Sequence, residues 1–159
     1  MDGPPPPPPL DDARLGQLRA RLARIGMASA LGMRILQLRP GEAVLELPFD
    51  PRVEGAFGSY HGGAVAALAD TCAAFALRTM LPDSVRFATT NLDIQYLRRT
   101  AAPLRAHGVV RKVGARQSLV AVEVREAAGE LVALCSVSFL DVPWARTDQI
   151  SEDGTEPPS

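Results

Sequence analysis

Hydrophobic and polar residues recur with different periods along the chain, and each change of period marks a predicted element. Leucines and an isoleucine recur at helical spacing over residues 11–25, with acidic residues first and arginines later, which suits the dipole of an amphipathic helix. Residues 33–50 alternate instead, and Pro40-Gly41 divides them into two predicted strands. Residues 62–80 then form a predicted helix that is apolar all round.

Four further strand-like segments follow the apolar helix, separated by short turns. The order is a short helix that ends at Gly26, two strands, a long buried helix and a four-stranded meander, which is typical of an α+β fold with a mostly antiparallel sheet. A helix with no polar face needs cover on all sides, so we expect the sheet to curl around it and a second subunit to complete the cover. The four predicted strands span about residues 86–97, 104–113, 117–126 and 130–141.

Both ends of the chain differ in composition from its middle. Pro4–Pro9 is an unbroken proline run that predicts extended polyproline II structure, so residues 1–10 are interpreted as a disordered proline-rich tail. A docking site for a proline-binding module is the alternative. After Pro143 the sequence turns polar and acidic, and residues 144–159 are expected to form a loose tail. The folded domain is therefore assigned to residues 11–143.

Composition narrows the class of protein. With 159 residues, 47% of them hydrophobic, the chain is long enough for one domain with a sizeable core. A formal net charge of -1 argues against a general nucleic-acid surface, and no leader-like or membrane-spanning apolar run is present. Two cysteines and two histidines, not clustered, predict neither a disulfide framework nor a metal site. We therefore expect a cytoplasmic protein without a cofactor, a membrane partner or a nucleic-acid partner.

One charge interrupts the apolar helix. Asp70 is the single charged residue between Gly62 and Leu77. Burying a carboxylate is costly unless it is hydrogen-bonded or paired, and burial also makes it a stronger base. Asp70 is therefore a candidate general base or nucleophile. The alternatives are that it faces solvent through a gap in the sheet, or that it caps a neighbouring loop.

Two glycines begin the same helix. The N–H groups of Gly62 and Gly63 lack partners within the helix and lie at its positive end, where a ligand oxygen can come close. They are candidates for binding a carbonyl or oxyanion, or else they permit tight packing against a strand. Gly63 and Asp70 are seven residues apart, about 10 Å along the axis, so one carbonyl can hardly contact both within one chain. A two-fold dimer with antiparallel helices would bring Asp70 of one subunit beside the glycine amides of the other.

The remaining histidines and cysteines suggest little chemistry of their own. His61 precedes the glycines and is a candidate to cap the helix, orient the loop or contact a substrate. Cys72 follows eleven residues later, about 16 Å along one helix, so we expect it to pack in the core rather than form a dyad with His61. His107 lies alone in a predicted strand.

Three segments together resemble a known family. HGGAVAALAD, TTNLDIQYLRR and VVRKVGARQSLVAVEVREAAGELVALCSVSFL follow one another in this chain as they do in the PaaI-like acyl-CoA thioesterases of the hotdog-fold superfamily. The resemblance spans about residues 28–143. It implies a hotdog fold, in which an antiparallel sheet wraps a long central helix. It also implies dimers, often paired into tetramers, with active sites at the subunit interface.

The resemblance also implies roles for single residues. Asp70 matches the general base or nucleophile of the family, and Gly62 matches the glycine whose amide polarises the thioester carbonyl. Thr89 matches a Ser or Thr that helps to place water or the aspartate, and His61 matches the family histidine. Gly63 completes the glycine pair as a candidate substrate-binding residue.

Two positions depart from the family pattern. Members often carry an asparagine six residues before the histidine, where it helps to hold the carbonyl, and this chain has Gly55 there. Loss of such a donor costs on the order of a few kcal/mol of transition-state stabilisation. Gly55 therefore leaves three alternatives open for the protein, namely low activity, an altered substrate or a non-catalytic role. The second departure is YLRRTAAP, where the family commonly has Arg-Pro after the aromatic position.

Coenzyme A carries phosphates, so a site for it needs cations near its mouth. Arg98 and Arg99 end one predicted strand, while Arg111, Lys112 and Arg116 flank the VRKVGARQ turn. Their charge and hydrogen-bonding geometry suit phosphate. We expect at least one of them to contact the nucleotide end, although each alone also fits a solvated turn.

The sequence therefore predicts an acyl-CoA thioesterase, a homodimer or dimer of dimers, in which Asp70 activates water or attacks the thioester. A non-catalytic acyl-CoA-binding protein on the same fold is the alternative that Gly55 motivates. A hotdog dehydratase or hydratase fits less well, because GSYHGG lacks the proline-rich entrance to the helix that those enzymes have.

Overall fold

A computed structural model of the chain describes residues 7–141, which form a six-stranded antiparallel sheet, one long helix and two short ones. The predicted acidic tail and most of the predicted proline-rich tail lie outside these residues. Two short 3-10 turns, Pro51–Val53 and Ala56–Gly58, precede the long helix. The helices are α1 (Asp12–Arg24), α2 (Gly26–Ala30) and α3 (Gly62–Arg78), and the strands are β1 (Arg34–Arg39), β2 (Glu42–Leu47), β3 (Phe87–Tyr96), β4 (Leu104–Lys112), β5 (Gln117–Glu126) and β6 (Leu131–Asp141).

The sheet has the strand order β1-β2-β4-β5-β6-β3. Every neighbouring pair is antiparallel, and short connections join β1 to β2, β4 to β5 and β5 to β6. β3 follows α3 in the chain but lies at the far edge of the sheet, where its one strand partner within residues 7–141 is β6. The predicted α+β class and the hotdog arrangement of sheet and helix are confirmed.

Small residues let α3 lie close to the middle of the sheet. A Cβ on Gly108 of β4 would stand 3.2 Å from the Cys72 sulfur, so the helix could not approach as closely over a larger residue. The Cys72 thiol is fully buried, 3.3 Å from the carbonyl oxygens of Ala43 and Ala106. Burial raises its pKa to about 12. Cys72 therefore packs in the core, as predicted. The other fully buried residues of α3 are Leu68, Ala69, Ala73, Ala76 and Leu77.

The single chain gives α3 part of its cover, as expected, and the cover by a second subunit stays a prediction. The sheet covers one side of the helix, and the opposite side leaves a stripe of small residues half-buried or exposed. Since alanine and glycine are hydrophobic on most scales but small, they can form this outer stripe at little cost. We call it the small-residue stripe, and it consists of Gly63, Ala66, Ala67, Asp70 and Ala74.

The N-terminal region contains one helix more than the sequence predicted. The Asp11 side chain caps α1 by accepting from the Arg14 N–H at 2.8 Å, and the helix ends at Ile25. Gly26 does not lead into a loop but begins α2, which buries Ala28 completely. A five-residue helix is too short to show a period in the sequence. No helix within residues 7–141 is long and apolar enough to cross a membrane.

Candidate active site

The carboxylate of Asp70 lies on the small-residue stripe, where it is half-buried rather than enclosed in the core. The hydroxyl of Thr89, on the edge strand β3, donates to its Oδ1 at 2.8 Å. Oδ2 accepts no hydrogen bond from the described part of the chain. The structure therefore pairs Asp70 with Thr89 through Oδ1. It leaves Oδ2 without a hydrogen-bond partner among residues 7–141.

A bulge in β3 is what places Thr89 over the helix. In the pairing with β6, Thr89 faces Phe139 and Asn91 faces Ser138, so Thr90 is an extra residue. Without the bulge, Thr89 and Tyr96 would point to opposite faces of the sheet, because they are seven residues apart. With it, both reach α3.

The His61 ring caps the start of α3. Its Nδ1 accepts the Gly63 N–H at 2.9 Å, and the residue itself has extended backbone angles, as an N-cap residue should. A Cβ on Gly63 would lie 2.9 Å from the same nitrogen, so glycine is required for the ring to sit there. His61 therefore takes the capping role, and the Gly63 amide is already satisfied within the chain.

Gly62 is held from the other side by a tyrosine that the sequence did not single out. The Tyr96 hydroxyl donates to the Gly62 carbonyl at 2.8 Å, and a Cβ on Gly62 would stand 3.3 Å from the tyrosine oxygen. Partial burial raises the pKa of Tyr96, which keeps the hydroxyl a donor at neutral pH. Tyr96 faces α3 together with Thr89 because of the bulge in β3, and the sequence does not show that bulge.

The Gly62 N–H is the helix-start amide that remains available. It donates to no residue of the described ranges, whereas Gly63 is bound by the cap and Ala64 donates to the His61 carbonyl. It points outward at the positive end of α3, where an anion or a carbonyl oxygen is favoured. Gly62 and Asp70 are eight residues apart, about 12 Å along the helix axis. Within one chain they cannot contact the same atom.

The backbone explains why Gly55 carries no side chain. A Cβ there would lie 2.9 Å from the His61 Cα and 3.1 Å from its nitrogen. These backbone atoms are held by two hydrogen bonds of 2.7 Å, from the Gly55 N–H to the Ser59 carbonyl and from the His61 N–H to the Val53 carbonyl. This loop therefore has no space for the asparagine that the family often carries.

A cavity of about 530 Å³ opens beside the start of α3, between the turn Ala56–Gly58 and the end of β3. Arg98 and Arg99 both line it. Arg98 also forms ion pairs with Glu130 at 3.3 Å and Glu126 at 3.7 Å. Arg99 lies over the ring of Phe57, with 5.5 Å from its Cζ to the ring centroid. We call this the helix-start cavity, and its walls include His61, Gly62, Val65 and Tyr96.

Phe57 stands out in the wall of the helix-start cavity. It is 88% exposed and has a φ of 63°, in the left-handed region that a phenylalanine seldom adopts. Neither feature was visible in the sequence. A large aromatic side chain therefore lies at the mouth of the cavity, beside the Arg99 guanidinium.

The other predicted cations are not in this cavity. Arg111, Lys112 and Arg116 lie at the end of β4 and the start of β5, and β5 and β6 separate β4 from the edge strand β3. Arg116 lines a different cavity, together with Arg86. Within one chain the structure groups only Arg98 and Arg99 with the helix start.

The second histidine lies on an exposed strand position. His107 Nε2 is 3.2 Å from the Glu42 carboxylate, and both side chains are largely exposed. Residues 7–141 contain no cluster of three His, Cys, Asp or Glu side chains that could hold a metal ion. Cys135 is buried, and burial raises the pKa of its thiol to about 11. None of these groups approaches Asp70 by any hydrogen bond or ion pair.

Comparison with known proteins gives a family and a curated relative. The family model described as a domain of unknown function, DUF4442, matches residues 19–140. "Putative esterase VNG_1336C" from Halobacterium salinarum is 32% identical over 104 residues, which cover 62% of this chain and 69% of that protein.

Solved structures share the fold. A mutant of the thioesterase PA1618 from Pseudomonas aeruginosa has a TM-score of 0.78 at 20% identity and covers 86% of this chain and 98% of its own. A mutant of the phenylacetic acid degradation protein PaaI from Thermus thermophilus has a TM-score of 0.65 at 30% identity, covering 72% and 96%. The chain therefore belongs to the DUF4442 family and is a PaaI-like protein of the hotdog fold.

Proposed function

We propose that the protein hydrolyses acyl-CoA thioesters to a free carboxylic acid and CoA. The observation that carries the proposal is the Asp70–Thr89 pair: a half-buried carboxylate, oriented by a hydroxyl 2.8 Å away, among glycine and alanine residues that leave room for a substrate. The thioesterase and esterase names of the relatives support the same reaction class.

In the proposed reaction, the free Oδ2 of Asp70 removes a proton from water as the water oxygen bonds to the thioester carbon. The carbonyl oxygen becomes an oxyanion that the Gly62 N–H stabilises from the positive end of α3. When the intermediate collapses, the carbon–sulfur bond breaks and the CoA thiolate leaves with the proton from Asp70. Thr89 keeps the carboxylate in one orientation throughout.

The separation of about 12 Å between Gly62 and Asp70 requires that two chains build each site. We propose a two-fold dimer with antiparallel α3 helices, so that Asp70 of one subunit lies opposite the Gly62 amide of the other. Two features support it: α3 leaves its small-residue stripe uncovered, and β3 is an edge strand with a free side in the described chain. The dimer of dimers stays a prediction. Light scattering tests it by measuring the molecular mass of the assembly in solution.

Complementation tests the shared site. Alone, an Asp70→Asn chain is expected to be inactive, and a chain that lacks the Gly62 N–H is expected to be strongly impaired. When the two are co-expressed, each mixed dimer regains one site with both groups intact, so activity returns. If mixed dimers form but stay inactive, the shared site is wrong.

The hydrolysis itself is tested by thiol release over a panel of short, long and aryl acyl-CoA thioesters. Asp70→Asn is expected to abolish release while the fold is retained, and Asp93→Asn, which removes an exposed carboxylate from the same strand as Thr89, serves as the matched control. The buried Cys72 and Cys135 thiols add little background to a thiol reagent.

A second candidate function is binding of acyl-CoA without turnover. It is favoured by Gly55, because the loop has no space for the asparagine side chain that often holds the carbonyl. Calorimetric binding of an acyl-CoA that the wild-type protein fails to hydrolyse would support this function over the first.

A further inference from the structure

A further cavity lies between α3 and β3, beyond the Asp70–Thr89 pair. It has a volume of about 370 Å³. Ala74 lines it from α3, one helical turn after Asp70, and Phe87 lines it from β3, two residues before Thr89. α1 closes its outer side with Arg21, and Ile25, which follows that helix, adds to the same side. An acyl group bound at Asp70 would therefore have this cavity directly beside it.

The cavity has an apolar floor and a cationic wall. Phe75, Phe87 and Ala74 provide the floor, and the wall contains three arginines, Arg21, Arg78 and Arg86. We call it the arginine cavity. A pocket made only for a hydrocarbon chain has no need of guanidinium groups, and burying that of Arg78 away from water is costly.

Arg78 is the buried member of this wall, with 8% of its surface exposed. Its Nη1 donates to the carbonyl oxygens of Val85 at 2.7 Å and Pro82 at 3.2 Å. Its Cζ lies 4.2 Å from the centroid of the Phe87 ring. These contacts fix the guanidinium in place without supplying a negative charge.

Arg78 forms no ion pair with any of residues 7–141. Arg14 and Arg21 are its positive neighbours, and Asp83 and Asp141 are its negative ones. Asp83 already pairs with Arg14, and with Arg21 at 3.6 Å. Burial is the main cause that lowers the pKa of Arg78 to about 10; the two arginines lower it further and the two aspartates raise it.

We propose that the arginine cavity binds the acyl group and that its arginines bind a carboxylate at the distal end of that group. The substrates would then be CoA thioesters of dicarboxylic acids; this rests on the proposed hydrolysis. Asp70 and Arg78 are eight residues apart, about 12 Å along the helix. The methylene groups of a short dicarboxylic acid lie on the apolar floor between them, and the terminal carboxylate reaches the guanidinium groups.

Matched substrate pairs test the proposal in the wild-type protein. Adipyl-CoA and hexanoyl-CoA have acyl chains of equal length, as do glutaryl-CoA and pentanoyl-CoA, and each pair differs in the terminal carboxylate. We expect kcat/KM to be about tenfold higher, or more, for the dicarboxylic member, the effect of one charge-assisted hydrogen bond. Equal values, or a preference for the neutral member, would overturn the proposal and leave the hydrolysis standing.

Variants of the cavity wall locate the effect. Arg21→Gln and Arg86→Gln are expected to move the ratio of kcat/KM for adipyl-CoA to that for hexanoyl-CoA toward one. The control is Arg24→Gln, which changes an exposed arginine of α1, the helix that contains Arg21. Arg24 does not line the cavity, so this variant is expected to keep the wild-type ratio. Arg78 is left unchanged, because its bonds to Pro82 and Val85 hold the loop after α3.

Pantetheine thioesters separate the acyl carboxylate from the phosphates of CoA. They lack the nucleotide, so a preference for adipyl-pantetheine over hexanoyl-pantetheine, lost in Arg21→Gln, supports the proposal. If the arginines bind CoA phosphates instead, the variants raise KM for every CoA thioester alike and leave pantetheine thioesters unaffected, which overturns it.

Binding to the Asp70→Asn variant makes the test independent of turnover. Calorimetry is expected to give a lower Kd for adipyl-CoA than for hexanoyl-CoA in this variant. A protein that hydrolyses none of these thioesters contradicts the proposed function, and the binding preference then still decides whether the cavity accepts a carboxylate.

Discussion

Replacing Gly62 by proline removes the one N–H group that the proposed mechanism needs at the start of α3. Gly62 is the first residue of the helix, the position where proline is best tolerated. His61 has φ -64° and ψ 134°, angles that the residue before a proline readily adopts. The substitution therefore deletes the donor and leaves the helix able to form.

Gly62→Ala is the matched control. Alanine keeps the N–H and adds the same Cβ, 3.3 Å from the Cζ and hydroxyl oxygen of Tyr96, so it reproduces the crowding that proline causes there. Loss of one oxyanion donor lowers kcat by about a hundred- to a thousandfold, or roughly 2.7–4 kcal/mol. We expect that deficit in the proline variant relative to the alanine variant.

The assay is thiol release from an acyl-CoA under saturating substrate, together with denaturant unfolding of both variants. The free energies of unfolding are expected to agree within about 1 kcal/mol, because proline and alanine mainly differ in the entropy of the unfolded chain. If the two variants are equally stable and hydrolyse the substrate at the same rate, the Gly62 amide does not stabilise the oxyanion.

Three further predictions concern the helix cap, the loop before it and the core thiol. His61→Ala should cost about 1 kcal/mol of unfolding free energy and lower the rate of hydrolysis. His61→Asn should restore both the stability and the rate, because the asparagine Oδ1 can take the place of Nδ1. An asparagine variant that is stable but inactive would indicate proton transfer by the histidine. Gly55→Ala should cost about 1–3 kcal/mol in denaturant unfolding, because its Cβ meets backbone atoms 2.9 Å away, and wild-type stability would contradict the steric account. Burial raises the pKa of Cys72 from 9.0 to about 12, so unfolding above pH 9 releases a proton, and the free energy of unfolding should fall between pH 9 and 12. In Cys72→Ala the free energy of unfolding should fall less steeply over this range. An identical fall in the variant and the wild type would contradict this cause.

Most elements were predictable because their patterns are strong and local. The alternation in β1 and β2, divided at Pro40-Gly41, is visible within about a dozen residues, and so is the apolar run of α3, in which Asp70 is the single charge before Arg78. The five residues of α2 do not, and the sequence missed that helix. Arg14 was also unforeseen as a buried residue, since it is placed there by carbonyl and carboxylate partners more than sixty positions away.

The candidate site was predictable in its residues but not in its geometry. Asp70 stood out as a lone charge in an apolar run, and the resemblance to a family suggested Thr89. Thr89 and Tyr96 face the same helix because of the bulge at Thr90, and no residue in this part of the sequence predicts that bulge. Likewise, the sequence suggested a missing donor at Gly55, whereas the structure shows a position closed by the backbone of His61.

The central claim is that Asp70, oriented by Thr89, hydrolyses a thioester. The most direct measurement is the single-turnover rate of acyl-CoA hydrolysis by wild-type protein, Asp70→Asn and Thr89→Val under identical conditions. The account predicts no detectable hydrolysis in the asparagine variant and a reduced rate in the valine variant, with all three proteins folded. A folded Asp70→Asn protein that hydrolyses acyl-CoA at the wild-type rate would contradict it.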